Sequence, residues 1–153
     1  MHTLELKVPP PLLALCLAVL MWLTPKWVQS PEIPFGFRLG LALALVCVGQ
    51  SISVAGMVAF RRARTTINPF KPTAASSLVS SGVYKFTRNP MYVGLLITLL
   101  AWAAFLANPL ALLFLPVVVL YINRFQIAPE ERALSSLFGA EYESYKARVR
   151  KWL

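Results

Sequence analysis

The chain has 153 residues, room for a single domain. Hydrophobic residues make up 58% of it and charged residues 14%, with a mean hydropathy of +0.64, which excludes an ordinary soluble domain and points to an integral membrane protein. The net charge of +9 does not describe a nucleic-acid binder, because the cations flank apolar spans and make no face that tracks phosphates; membrane topology and anionic headgroups account for them.

His2 is the only histidine, and Cys16 and Cys47 both lie inside apolar runs. They read as buried small hydrophobes, not as a disulfide or metal pair, so zinc sites and histidine acid–base chemistry are excluded.

The first apolar run predicts a span over about 12–28, led in by Pro9, Pro10 and Pro11, which suit the first turn of a helix. Trp22 and Trp27 fit an interfacial belt, and Thr24-Pro25-Lys26-Trp27 stands where a cleavage site would, so the helix is expected to remain uncleaved. A second span covers 37–60. Its Gly49, Ser53 and Gly56 form a small-residue stripe for close helix packing, internal or between copies, and Gln50 and Ser51 are expected to bond between helices. Arg61, Arg62 and Arg64 end it.

The connector 65–81 is broken by Asn68-Pro69 and Lys71-Pro72, and its length predicts a binding loop, extending as a cytosolic segment over 65–90. Third and fourth spans follow over 91–107 and 110–125, joined by a tight turn at Asn108-Pro109; both are short, as for a thin or deformed bilayer. Beyond them Leu134, Phe138, Tyr142, Tyr145, Val149 and Trp152 recur at helical spacing, predicting one amphipathic surface helix over 129–151. Pro129 would open that helix, and Glu130 and Glu131, taken alone, read as charges favoured at its N-terminus. The expected fold is all-α, a single domain 1–153 of about four transmembrane helices plus the C-terminal amphipathic helix.

Arg61, Arg62, Arg64, Lys71, Lys85 and Arg88 lie between spans two and three, and Arg124, Arg132, Lys146, Arg148, Arg150 and Lys151 follow span four. Only Lys26 and Arg38 fall on the other side, so both termini are expected in the cytoplasm. The run from Gly82 through Tyr84, Arg88, Asn89, Pro90 and Tyr92 to Gly94 and the later pair Glu130-Glu131 then stand at the two ends of a membrane hairpin. Polar groups there cost insertion energy, so a functional site at the membrane surface is the default expectation.

The stretch from Leu78 to Leu153 resembles the isoprenylcysteine carboxyl methyltransferases and the related phospholipid N-methyltransferases. The resemblance rests on Gly82 and Tyr84, on Arg88-Asn89-Pro90-Met91-Tyr92 and Gly94, on Asn108-Pro109, on Glu130-Glu131, and on Phe138-Gly139 followed by Tyr142, Tyr145 and Val149, in order and at matching spacing. Each piece is weak alone; the series is specific. The first two helices match in hydropathy only.

The resemblance implies an S-adenosyl-L-methionine-dependent enzyme, releasing S-adenosyl-L-homocysteine, with its cofactor at the cytosolic membrane face. The residues it implies for cofactor binding are Ser76, Ser77, Leu78, Val79, Tyr84, Asn89, Pro90, Met91, Tyr92 and Glu130, with Glu131 supporting. Glu130 would accept from ribose hydroxyls or the ammonium, and a tyrosine ring would face the sulfonium. Two positions depart from the eukaryotic carboxyl methyltransferases: Asn89 stands where they have histidine, and Gln126 where they carry a substrate-binding arginine. Arg124, with Gln126, or else Arg88, is expected to orient the acceptor.

The partners implied are a lipophilic acceptor, carboxylate or amine, and membrane lipids, with no nucleic acid; the oligomeric state stays open. Two other readings remain: a membrane reductase of related architecture using a nicotinamide cofactor, and a non-catalytic scaffold.

Overall fold

A computed structural model describes residues 5–24, 31–64 and 76–153. Among them the fold is all-helical. The helices are α1 (Pro10–Leu23), α2 (Phe35–Arg62), α3 (Pro90–Leu106), α4 (Pro109–Leu112), α5 (Phe114–Ile122), α6 (Ala128–Phe138) and α7 (Ala140–Arg148). A 3-10 turn, Gly82–Lys85, precedes α3, and a π turn, Asn123–Ile127, joins α5 to α6.

Two stretches are long and apolar enough to cross a bilayer, α2 with 28 residues and the helical path Pro109–Phe138 with 30. Helices α1 and α3 are apolar but shorter, at 14 and 17 residues. Large apolar side chains are exposed along α1, α2 and α5, among them Leu15, Trp22, Phe37, Leu43 and Leu120. An apolar exterior of that extent belongs in lipid, and the chain is a membrane protein. Cys16 and Cys47 correct the expectation of burial: both are exposed, on the outer surfaces of α1 and α2. Where a helix is apolar on every side, hydropathy does not tell the inward face from the outward one.

Local chemistry sets the helix ends. Pro9 precedes α1 and Pro10 occupies its first turn, where a missing N–H leaves no bond unmade. At the other end the Thr24 hydroxyl donates to the Met21 carbonyl at 2.6 Å. Residues 25–28 of the expected first span, Trp27 among them, lie outside the described residues. Ala107 adopts a left-handed conformation to stop α3, and the Asn108 side chain accepts from the Leu110 N–H at 3.0 Å, so Asn108-Pro109 makes the expected turn. Pro116 sits four residues after Leu112 and cannot donate to its carbonyl, which is where α4 gives way to α5.

Helices α2 and α3 pack through their small residues. A Cβ added at Gly49 would lie 2.7 Å from the Gly94 carbonyl oxygen, and one at Gly56 would lie 3.1 Å from Pro90 Cγ. The stripe of Gly49, Ser53 and Gly56 therefore serves internal packing. Gln50 Nε2 donates to Thr98 Oγ1 at 3.0 Å across the same seam. Helix α1 lies on α3, with Trp102 Nε1 donating to the Ala18 carbonyl at 2.9 Å, over a core that includes Met21, Leu99, Val118, Ile122 and Ile127.

The C-terminal half corrects two expectations. Helix α5 runs through the π turn into α6 without a free end, since Ile127 and Ala128 both keep helical dihedrals. Glu130 and Glu131 thus cap nothing. Pro129, expected to open a helix, is passed by widening the turn before it; the carbonyl it leaves without a helical donor, that of Phe125, accepts instead from the Leu6 N–H at 3.0 Å. The single helix expected over 129–151 is two helices broken at Gly139, whose φ of 50° and ψ of −124° strongly favour a residue without Cβ. Leu134, Phe138, Tyr142, Tyr145 and Val149 nevertheless share one cluster with Ala59, Val79 and Tyr84. Trp152 leaves that face: it packs on the α1–α3–α5 core and donates to Asn123 Oδ1 at 3.0 Å.

Candidate active site

Tyr92 stands in the first turn of α3 and Glu130 in α6, and the Tyr92 hydroxyl donates to Glu130 Oε1 at 2.5 Å. The two ends of the hairpin therefore meet at the polar residues singled out in the sequence. Among the described residues this is the one bond made by the Glu130 carboxylate, and Oε2 stays available as an acceptor. Pro90 opens α3 at the same end, with Met91 beside Gly56.

Arg88 holds the neighbouring corner together. Its Nη2 donates to Glu131 Oε1 at 2.6 Å, and its Nη1 donates to the carbonyls of Val149 at 2.6 Å and Lys146 at 3.1 Å. The side chains of Arg88 and Glu131 are 11% and 18% exposed, so the pair is largely withdrawn from water. Lys151 Nζ approaches Glu131 Oε2 at 3.5 Å. Arg88, expected as an alternative to Arg124 for orienting the acceptor, serves here as an anchor: its terminal nitrogens are spent on protein groups. Glu131 likewise faces Arg88 and Lys151.

The chain after α7 returns across this corner. Val149 is extended, the Arg150 carbonyl accepts from the Arg88 N–H at 3.0 Å, and the Lys151 carbonyl accepts from Thr87 Oγ1 at 3.3 Å and Asn89 Nδ2 at 2.9 Å. Asn89 is therefore bonded through its amide nitrogen to the C-terminal strap. Thr87 is buried and also accepts from the Asn89 N–H at 3.2 Å.

On the other flank, the buried Tyr84 gives its carbonyl to the Tyr145 hydroxyl at 2.8 Å and packs edge-on against Phe60, with ring centroids 5.4 Å apart. Burial first, then the nearby Tyr145 and Glu130, push the Tyr84 phenol far above its ordinary range. Burial raises the Tyr145 phenol to about 12 and lifts that of Tyr142 further. All three are neutral donors at physiological pH. Leu78 and Val79 pack in the cluster around Tyr84, and Ser77 and Ser76 donate to the carbonyls of Ala63 and Arg64 at 3.1 and 3.3 Å, at the end of α2. The earlier part of the expected binding loop, 65–75, lies outside the described residues.

Arg124 and Gln126 turn toward the N-terminal segment. Arg124 Nη1 donates to Glu5 Oε1 at 2.7 Å, with its guanidinium 5.4 Å from the centre of the Phe125 ring. Gln126 is fully buried; its Nε2 donates to the Val8 carbonyl at 2.7 Å and its Oε1 has no partner among the described residues. The residues that sequence reasoning missed are Thr87, the carbonyls of Val149 to Lys151, and Glu5. Thr87 stood inside the motif and was passed over; Glu5 carried a weaker signal, as one of only 6 acidic residues in the chain.

A helical membrane protein with a tyrosine–carboxylate pair joining the ends of an α3–α5 hairpin defines the class. The model of the phospholipid methyltransferase family matches residues 37–141, and the chain belongs to that family. It is 32% identical over 108 residues to the protein-S-isoprenylcysteine O-methyltransferase of Schizosaccharomyces pombe, covering 71% of this chain and 46% of that one. It is 29% identical over 141 residues to a probable protein-S-isoprenylcysteine O-methyltransferase of Oryza sativa, covering 92% and 74%. To the methanethiol S-methyltransferase 1 of Bradyrhizobium diazoefficiens it is 46% identical over 67 residues, covering 44% and 22%. The chain thus spans less than half the length of the first and third of these relatives. No solved structure gives a significant match.

Proposed function

We propose that the protein is an integral membrane methyltransferase that uses S-adenosyl-L-methionine to methylate a lipophilic acceptor, a carboxylate or an amine, at the cytosolic membrane face. The observation that carries this reading is the Tyr92–Glu130 bond, which brings the Asn89–Tyr92 and Glu130 motifs to one place. Family membership supports it, as do relatives named for methyl transfer to isoprenylcysteine and to methanethiol.

The residues present fit such a cofactor. Glu130 offers a carboxylate oxygen in a setting where a phenol already fixes the other, suited to ribose hydroxyls or an ammonium. Tyr84, Leu78 and Val79 share an aromatic and apolar cluster, and the family resemblance adds Ser76, Ser77, Asn89, Pro90 and Met91 to the residues that would hold the cofactor. The cofactor, when bound, supplies the sulfonium that makes methyl transfer favourable. The protein's part is then to position and to exclude water, with no general base required of it. Tyr92 holds Glu130 in place, and Arg88 fixes the corner from Thr87 to Tyr92 against α6 and the C-terminal strap.

In this reading the chain is one domain with about four spans and both termini in the cytoplasm. At 1.5 Å per residue α1 and α3 measure roughly 21 and 26 Å, so they cross a bilayer that thins around them. Arg124, 45% exposed at the same end of the hairpin as Glu130, is the group left to meet the acceptor; Gln126, read with it from the sequence, is fully buried and bonded to the Val8 carbonyl. The test is to incubate the protein in liposomes with cofactor carrying a labelled methyl group and extract the lipid. Label in the organic phase that disappears in Glu130→Ala supports the assignment; an unlabelled extract across carboxylate and amine lipids removes it.

A further inference from the structure

Glu5 lies between two arginines of the C-terminal half. Its Oε1 accepts from Arg124 Nη1 at 2.7 Å and its Oε2 from Arg132 Nη2 at 2.5 Å. The Glu5 side chain is 11% exposed while those of Arg124 and Arg132 are 45% and 56% exposed, so the carboxylate sits beneath two guanidiniums that themselves face outward. We propose that Arg124 and Arg132 form a clamp for the phosphate or carboxylate of an anionic lipid headgroup, which Glu5 occupies as a displaceable internal ligand.

The geometry is that of anion recognition. Two guanidiniums, one from the π turn and one from α6, each reach a different oxygen of one carboxylate, and charge-assisted bonds from two forks suit a phosphate as well. Arg124 also lies over the Phe125 ring, a contact that does not involve Glu5 and helps to orient the guanidinium for an anion. Glu5 itself is carried on a short segment ahead of α1, tied to the π turn through the Leu6 N–H and the Val8 carbonyl. The arginine side chains themselves are 45% and 56% exposed, so their outward sides are open to a headgroup at the bilayer surface. The proposal rests on the membrane orientation given above, and it narrows the role of Arg124 to binding the charge on a lipid.

The test is calorimetric titration of the detergent-purified full chain with dihexanoyl phosphatidic acid, with inorganic phosphate and dihexanoyl phosphatidylcholine as separate arms. Saturable phosphatidic acid binding that tightens about fivefold in Glu5→Gln is expected, because removing an internal competitor raises the binding-competent fraction. Arg124→Lys with Arg132→Lys, exposed changes that keep charge and fold, should weaken it at least about threefold through loss of the forks. Inorganic phosphate that competes identifies the anion alone as the ligand, and phosphate that does not compete identifies the lipid headgroup; either supports the clamp. Unchanged affinity in Glu5→Gln, unchanged affinity in the double lysine variant, or equal binding of phosphatidylcholine overturns it. S-adenosylhomocysteine titrated in parallel reports on the cofactor reading alone: its failure to bind, with headgroup binding intact, removes that reading and leaves the clamp standing.

Discussion

The Tyr92 hydroxyl reaches Glu130 Oε1 at 2.5 Å across 38 residues of sequence, joining the first turn of α3 to α6. Nothing local to either residue requires that contact; it exists because α3 and the α4–α5 path form an antiparallel hairpin whose ends come level.

Replacing Tyr92 by Phe removes the donor and little volume. The bond is made without ligand, so its loss should cost about 1.5–3 kcal/mol of stability, and a Glu130 no longer held in place should bind S-adenosylhomocysteine several-fold more weakly. Equal affinity in Tyr92→Phe and the parent would count against Glu130 as a cofactor ligand.

Arg88 is predicted to matter for stability. Its removal leaves Glu131 and the carbonyls of Lys146 and Val149 without their donors, at a cost of about 2–4 kcal/mol for a largely buried pair with some water access. Arg88→Lys keeps the charge but not the fork and should recover part of the loss. Thermal unfolding in one detergent, with all three proteins in parallel, checks the order.

Glycine substitutions should separate the α2–α3 seam from the exposed end of α2. Gly49→Ala pushes a methyl to 2.7 Å from the Gly94 carbonyl oxygen and should destabilise by about 1–3 kcal/mol. Gly40→Ala meets nothing within 4 Å and should stabilise by about 0.5–1 kcal/mol through helix propensity. Unfolding midpoints that move together would contradict the packing described.

The C-terminal strap should be required for an ordered Thr87–Asn89 corner. Ending the chain at Arg150 deletes the Lys151 carbonyl that binds Thr87 and Asn89 and the Trp152 ring that binds Asn123. Faster amide hydrogen exchange over 84–92, with α2 unaffected, is the expected result; unaltered exchange there would show the strap to be dispensable.

Much of this fold was legible in the chain because its signals are local. Pro9 to Pro11 start α1, Asn108-Pro109 turns between helices, and Gly49, Ser53 and Gly56 mark the face that meets α3. The apolar cluster of Leu134, Phe138, Tyr142, Tyr145 and Val149 was also readable from spacing, although the helix carrying it is not continuous. What escaped depends on distant partners. Pro129 reads as a helix start because its missing N–H suits a first turn, yet the helix passes it by a π turn whose spare carbonyl is satisfied from Leu6. Glu5 meets Arg124 over 119 residues, and no pattern in either neighbourhood foretells it. Cys16 and Cys47 face outward for a related reason: in a bilayer the exterior is as apolar as the core.

The most direct test of the account is titration of the detergent-purified protein with S-adenosylhomocysteine, with NADPH as control, on the parent and on Glu130→Ala. Saturable binding of S-adenosylhomocysteine alone, lost or greatly weakened in the variant, is the expected result. Binding of NADPH alone, or binding of S-adenosylhomocysteine that Glu130→Ala leaves unchanged, would contradict it.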